Sequence, residues 1–250
     1  MRLVANISLL FTEMPMTERF EAASLAGFDA VEILFPYDAD ISAIAIASQA
    51  AQMPMHLINT PPGDWQAGER GFAALPGPRF QASLDVACQT AHRLGATLVH
   101  VMAGNAATKD GVSTLCKNLR KASDHAPDLT FLLEPLNNIS FPGYALSDFE
   151  TAAHCLNETD RDNAGLQFDS FHAAMMGLDP IETLKRYAPL VRHVQIASSP
   201  DRTEPDPDEV SRFARTLGTI GYKGAVSAEY QPKGDTVKGL GWLQAFRDAC

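Results

Sequence analysis

The sequence predicts an α/β fold, a single closed (β/α)8 TIM barrel spanning residues 1–250. Short apolar, strand-like runs alternate with helical patterns eight times, at about 30 residues per unit. No linker-like or low-complexity segment interrupts the alternation. The first strand runs into Ser8-Leu9-Leu10-Phe11, with no glycine-rich phosphate turn. That turn is expected of the doubly wound open sheet, which is the second reading.

The elements follow in order. Leu3-Val4-Ala5-Asn6-Ile7 is the first strand, and Thr17 can cap a helix carrying Phe20, Ala23, Ser24 and Leu25 that stops at Gly27. Asp29 to Leu34 forms the second strand, Ile41 to Ala51 a helix, and Met53 to Ile58 the third strand. A long connection from Thr60 to Gly77 then carries Pro62-Gly63-Asp64-Trp65 and Ala67-Gly68-Glu69-Arg70-Gly71. Loops this long usually serve as lids or binding segments. Arg79 to Leu94 is helical and Gly95 ends it; Leu98 to Met102 is the fourth strand, and Gly111 to Ala126 is helical. The fifth strand, Phe131-Leu132-Leu133, runs into Glu134, and Pro135 stops regular pairing. Ser147 can cap a helix reaching Asn157, and Ala164 to Asp169 is the sixth strand. A helix over Pro180 to Tyr187 leads to the seventh strand, Leu190 to Ile196. Asp206 to Leu217 is helical, Gly224 to Glu229 is the eighth strand, and a helix over Leu240 to Ala249 closes the chain.

Composition narrows the class of partner. Lys plus Arg number 20 against 30 for Asp plus Glu, a formal charge of −10 without a basic run. That balance argues against nucleic acid and anionic membrane as partners and leaves a small molecule. Cys88, Cys116, Cys155 and Cys250 are scattered without a CxxC spacing, as expected of thiols in a reducing cytoplasm. The run from Leu3 to Phe11 is too short and polar for a signal peptide, and no segment reaches the ~20 apolar residues of a membrane span. The expectation is a soluble cytoplasmic protein, and assembly into a homo-oligomer is compatible with it.

In a barrel the C-terminal strand ends converge on one face. Glu134, Asp169 and Glu229 stand at three of these ends and Gln195 near a fourth. Converging carboxylates repel unless a cation or shared protons relieve them. An all-oxygen set without thiolates suits Mg²⁺ or Mn²⁺ better than structural zinc. Taken singly, each acid could equally be solvated or paired with a lysine. His172 lies three residues beyond Asp169 and could orient a ligand, bind substrate or coordinate metal. His193 shares a strand face with Gln195 and reads as a core or supporting residue, whereas His56 and His100 could point either way. His92, His125 and His154 read as surface residues. Trp65 could be a lid aromatic or a packed loop anchor. Arg70 and Arg202 could each grip a substrate carboxylate bidentately, although a loop arginine is usually only solvated.

These residues together make the chain resemble the hydroxypyruvate isomerase family, within the wider xylose-isomerase-like barrels. The resemblance runs through Ala5-Asn6-Ile7-Ser8-Leu9-Leu10-Phe11, Phe35-Pro36-Tyr37-Asp38, the Gly63-Asp64-Trp65-x-Ala67-Gly68-Glu69-Arg70-Gly71 loop, and Glu134-Pro135-Leu136-Asn137 with Pro142-Gly143. It continues through Phe168-Asp169 with His172, His193-Val194-Gln195-Ile196-Ala197, Arg202 with Glu204-Pro205, and Glu229-Tyr230. The resemblance implies a divalent-metal site of Glu134, Asp169, Gln195 and Glu229, with Glu134 and Glu229 as the acid/base pair. It implies interconversion of hydroxypyruvate with tartronate semialdehyde, or action on a related 2-oxo acid such as 2-oxotetronate. Trp65, Glu69, Arg70, His172 and Arg202 are the expected substrate-binding residues. Two departures concern substrate size and loop closure: Asp206-Pro207-Asp208-Glu209-Val210-Ser211-Arg212 replaces the family's usual run after Glu204-Pro205, and Asn138 stands where histidine is common. The alternatives are a metal-dependent ketose 3-epimerase, an abasic-site endonuclease and a noncatalytic sugar-acid-binding protein.

Overall fold

The computed structural model describes residues 1–106 and 109–250. Eight parallel strands follow one another in chain order and close into a barrel. They are β1 (Arg2–Asn6), β2 (Ala30–Ile33), β3 (Met55–Asn59), β4 (Leu98–His100), β5 (Thr130–Leu133), β6 (Ala164–Asp169), β7 (Val191–Ile196) and β8 (Ala225–Ala228). The helices are α1 (Arg19–Leu25), α2 (Ile41–Ala50), α3 (Arg79–Leu94), α4 (Lys109–His125), α5 (Phe149–Thr159), α6 (Ser170–Met175), α7 (Pro180–Tyr187), α8 (Pro207–Thr219) and α9 (Trp242–Ala249). Closure is made by β8 pairing with β1, where Val4 lies opposite Ser227 and Ala5 opposite Ala228. The chain groups into two compact units: Met1–Glu32, Ala43–Pro54 and Phe168–Cys250 form one, and Ile33–Ser42 with Met55–Gln167 the other.

The structure differs locally from the expected elements in four features. Thr17 does not cap α1, which starts after Glu18 without a side-chain cap. Asp148, not Ser147, caps α5: its Oδ1 accepts from the Thr151 backbone N–H at 2.7 Å. The short helix α6 was not anticipated. It begins because Asp169 closes β6 in an extended conformation while its side chain accepts from Phe171 N–H at 2.8 Å. Strand β4 also ends earlier than the apolar run suggests. Beyond His100, the Met102 N–H goes to Thr60 Oγ1, and the Met102 carbonyl accepts from Phe72 and Ala73.

The strand interior is layered. In the first unit Val4, Ala30 and Ala225 cluster, and in the second Leu57, Leu98 and Leu132 do so, all buried. Side chains alternate along a strand, so residues two positions further on share the same face. Those positions are Asn6, Glu32 and Ser227 in the first unit, and Asn59, His100 and Glu134 in the second; every one is buried. An apolar layer is thus followed, one step toward the strand ends, by a polar one.

The connection after β3 is folded rather than loose. Gly71 forms an antiparallel bridge with Ala103, just past β4. At φ of +101° Gly71 lies where L side chains are strained, and a Cβ there would sit 2.3 Å from the Met102 carbonyl oxygen. Gly104 approaches the same backbone, where a Cβ would meet the Gly71 carbonyl oxygen at 2.4 Å. Backbone conformation and close contact therefore both require glycine. Gly71→Ala should cost about 2 kcal/mol or more, a fall of about 4–8 °C in melting temperature for a chain this long. Thermal unfolding checks it, and an unchanged melting temperature would contradict the close approach.

Candidate active site at the strand ends

In the unit containing Phe168–Cys250, three acids lie at strand ends and all are buried: Glu32 on β2, Asp169 on β6 and Glu229 one residue past β8. Their surroundings separate them. Glu32 accepts from Asn6 Nδ2 at 3.0 Å and Gln195 Nε2 at 2.8 Å, and pairs with His193 Nε2 at 2.9 Å. Burial pushes its pKa up, but the charge and hydrogen bond of His193, with the bond from Gln195, outweigh it and hold the carboxyl below its ordinary value. Asp169 and Glu229 have less support. Burial raises Asp169 to about 6 against the pull of Arg202, with the Glu32 charge adding to the rise. Burial also raises Glu229 well above the usual carboxylate range; Arg202 opposes this while Asp169 and Glu32 reinforce it.

Arg202 is the cation of this cluster. Its Nη2 donates to Asp169 Oδ2 at 3.0 Å and lies 3.3 Å from Glu229 Oε2, with the side chain only 23% exposed. Its backbone adopts φ of +50°, a left-handed conformation uncommon outside glycine. The guanidinium expected to meet a substrate carboxylate is here engaged with protein carboxylates. His172, buried on α6, lies 3.8 Å from Asp169 Oδ2. Gln195 is fixed by Glu32: an ionised carboxylate only accepts, so the amide turns its N–H toward Glu32 and its carbonyl oxygen away.

In the other unit, Glu134 stands just past β5 and is buried. Gln167 Nε2 donates to its Oε2 at 2.8 Å, and His100 Nδ1 lies 3.4 Å from the same oxygen. His100 therefore faces as Leu98 does, and His56 lies on the opposite face of β3 from Leu57. The glycine-rich loop has its own order. Arg79 holds Glu69 through two bonds of 2.6 and 2.8 Å, and Glu69 Oε2 also accepts from Asp64 N–H. The Arg79 bonds and that backbone donor push the half-buried Glu69 down to about 2. The Arg70 guanidinium stacks 3.6 Å over the Trp65 ring and donates to the Trp65 and Glu69 carbonyls. Trp65, 40% exposed, also packs near Phe35 and Phe141. Glu69 and Arg70 thus stitch this loop together, and His92, His125 and His154 are exposed on helices.

Sequence reasoning missed Glu32, His100, Gln167, Asn6 and Ser227 as parts of the polar strand-end layer. A signal existed. Val4-x-Asn6, Ala30-x-Glu32, Leu98-x-His100, Leu132-x-Glu134, Gly165-x-Gln167-x-Asp169 and Ala225-x-Ser227-x-Glu229 each step from a small or apolar residue to a polar one at a spacing of two.

Comparison with known proteins agrees with the barrel fold. The family model for the xylose isomerase-like TIM barrel matches residues 20–246. The chain is 36% identical to the 2-oxo-tetronate isomerase of Cupriavidus necator, covering 98% of each chain. It is 34% identical to the hydroxypyruvate isomerase of Escherichia coli, covering 99% of this chain and 100% of that one. A crystal structure from Brucella melitensis, described as an AP endonuclease of family 2, superposes with a TM-score of 0.91 at 39% identity, covering 97% of this chain and 98% of that one. With a closed parallel barrel and full-length relatives of this kind, the chain belongs to the hydroxypyruvate isomerase family of xylose isomerase-like TIM barrels and is an enzyme of the isomerase class.

Proposed function

We propose that this enzyme interconverts a small 2-oxo-3-hydroxy acid with its aldehyde isomer, hydroxypyruvate with tartronate semialdehyde or a longer 2-oxotetronate-type acid. The observation that carries the reading is a pair of buried glutamates, Glu134 and Glu229, each one residue past a strand end. One takes the proton from C3 of the substrate, and the other delivers a proton to C2 as the hydroxyl proton passes from O3 to O2. Burial raises Glu229 well above the usual carboxylate range, and a cation held beside it would lower it again and leave it a proton acceptor. Glu134, accepting from Gln167, suits removal. Trp65 and Arg70, on the connection after β3, are the groups proposed to contact the substrate, with Glu69 holding that loop in shape. His172 would contact it from α6 and Arg202 from the loop after β7.

We further propose that Glu134, Asp169, Gln195 and Glu229 hold Mg²⁺ or Mn²⁺. The donors fit such an ion: they are oxygens, with the Gln195 carbonyl turned away from Glu32, and ligand atoms of Glu134, Asp169 and His172 lie within 4.8 Å of one another. Burial is the main cause that raises Asp169 and Glu229, with neighbouring acids adding to it, and a cation bound beside them would oppose both. A divalent ion bound there would polarise the substrate oxygens and stabilise the charge that develops when the C3 proton leaves.

The strongest alternative within this fold is a ketose 3-epimerase, which would use the same glutamates. The formal charge of −10, without a basic run, opposes a nucleic acid substrate. Proton NMR of the enzyme with hydroxypyruvate, with a longer 2-oxo-3-hydroxy acid and with a neutral ketohexose, each with and without a chelator, separates the readings. The expected result is conversion of the acids alone, abolished by chelation and restored by Mn²⁺ or Mg²⁺. Turnover of the ketohexose in preference to the acids would replace this reading with epimerisation.

Glu32 is the positioning residue of this scheme. Glu32→Gln removes the obligate acceptor that fixes the Gln195 amide, so Mn²⁺ affinity measured by calorimetry should fall about 10–100-fold. Unchanged affinity in a folded variant would remove Glu32 from the site.

A further inference from the structure

Outside the strand-end layer, α4 and α5 carry a second chemical feature. A cavity of about 630 Å³ opens between them, lined by Cys116, Lys117, Arg120, Thr151, His154 and Glu158 among others. The two helices run side by side in parallel register. Cys155 Sγ lies 3.8 Å from the Val112 carbonyl oxygen, and one turn on, Thr159 Oγ1 lies 3.4 Å from the Cys116 carbonyl oxygen. Helix side chains lean toward the N-terminus of their own helix, so Cys116 projects back over the turn of Val112. That is where the Cys155 sulfur already sits, and the two thiols come within hydrogen-bonding reach.

Their environments differ in a useful way. Cys155 is fully buried, whereas Cys116 is partly exposed at the cavity. The Cys155 thiol lowers the Cys116 pKa below the ordinary thiol value, and Arg120 adds to this while burial and Glu158 oppose it. Cys155 is shifted the other way, first by Cys116 and then by burial. Arg120 is itself held in place, donating from Nε to the Thr159 carbonyl at 3.1 Å and bonding the Glu158 carbonyl. A thiol accessible from a cavity and near an arginine, beside a fully buried thiol, is the arrangement of an attacking and a resolving cysteine.

We propose that Cys116 and Cys155 form a peroxide-oxidisable dithiol, a modification site on the α4/α5 helix pair. The Cys116 thiolate attacks one oxygen of a hydroperoxide, the O–O bond breaks, and hydroxide leaves a sulfenic acid behind. Cys155 then attacks that sulfur, the S–O bond breaks as the disulfide forms, and the departing hydroxide takes the Cys155 proton as water. Two thiols are oxidised by two electrons and hydrogen peroxide is reduced to two waters. Cys88 and Cys250 sit in other settings: burial and neighbouring acids raise Cys88 to about 11, and burial raises Cys250.

The test is graded hydrogen peroxide on the full chain, alkylation of the remaining thiols and peptide mass mapping. Cys116 and Cys155 should disappear together into one cross-linked peptide, about 2 Da lighter than the sum of its parts, while Cys88 still alkylates. In Cys155→Ser, oxidation should stop at Cys116 sulfenic acid, captured by dimedone. The proposal fails if Cys116 and Cys155 remain alkylatable at doses that oxidise the exposed Cys250. It also fails if Cys155→Ser yields no dimedone adduct at Cys116.

Discussion

The dominant constraint is that carboxylates are buried at strand ends, where the backbone ladder stops and nothing apolar can relieve them. An unpartnered ionised carboxylate in such a place is costly by several kcal/mol. The chain answers this differently at each acid. Glu32 receives Asn6, Gln195 and His193 and remains charged. Asp169 and Glu229 share one arginine and are pushed toward their neutral forms. Glu134 receives Gln167, with His100 close by. The same burial that would weaken an ordinary core here shifts the Asp169 and Glu229 carboxyls up from their ordinary range, which is what the proposed chemistry draws on.

Much of this was legible in the sequence. The helices Arg79–Leu94 and Pro180–Tyr187 and the strand Ala164–Asp169 stand where their patterns place them. In each, apolar periodicity agrees with a boundary signal: Gly95 after the first, Pro180 opening the second, and Asp169 at the strand end. The barrel closure followed from repetition of that unit, and the family from its motifs. Less legible were features set by partners distant in sequence. Asp148 wins the α5 cap over Ser147 because its carboxylate reaches both the Thr151 N–H and the Thr151 hydroxyl. Strand β4 stops early because Thr60 and Phe72, far upstream, claim its backbone. Glu32 looked like one more strand residue until His193 and Gln195, more than 160 positions later, were seen to bond it.

The glycine-rich loop shows how a motif can be specific without each of its residues touching a ligand. Glu69 grips Arg79, Arg70 stacks on Trp65, and Gly71 lets the chain press against Met102. Their shared effect is a Trp65 ring presented beside Phe35 and Phe141 on a defined backbone. Glu69 and Gly71 thus act as a scaffold for the Trp65 and Arg70 side chains. Arg202 has the converse character: it lies in a loop, yet it is the charge on which Asp169 and Glu229 both depend.

The central claim is that two strand-end glutamates move a proton between adjacent carbons of the substrate. Its most direct measurement is NMR of deuterium uptake from D₂O into the C–H positions of hydroxypyruvate and its product, comparing the natural enzyme with Glu134→Gln and Glu229→Gln. The account predicts uptake by the natural enzyme and a loss of about 10²–10⁴-fold in each folded variant. Exchange at the natural rate in either variant would contradict it.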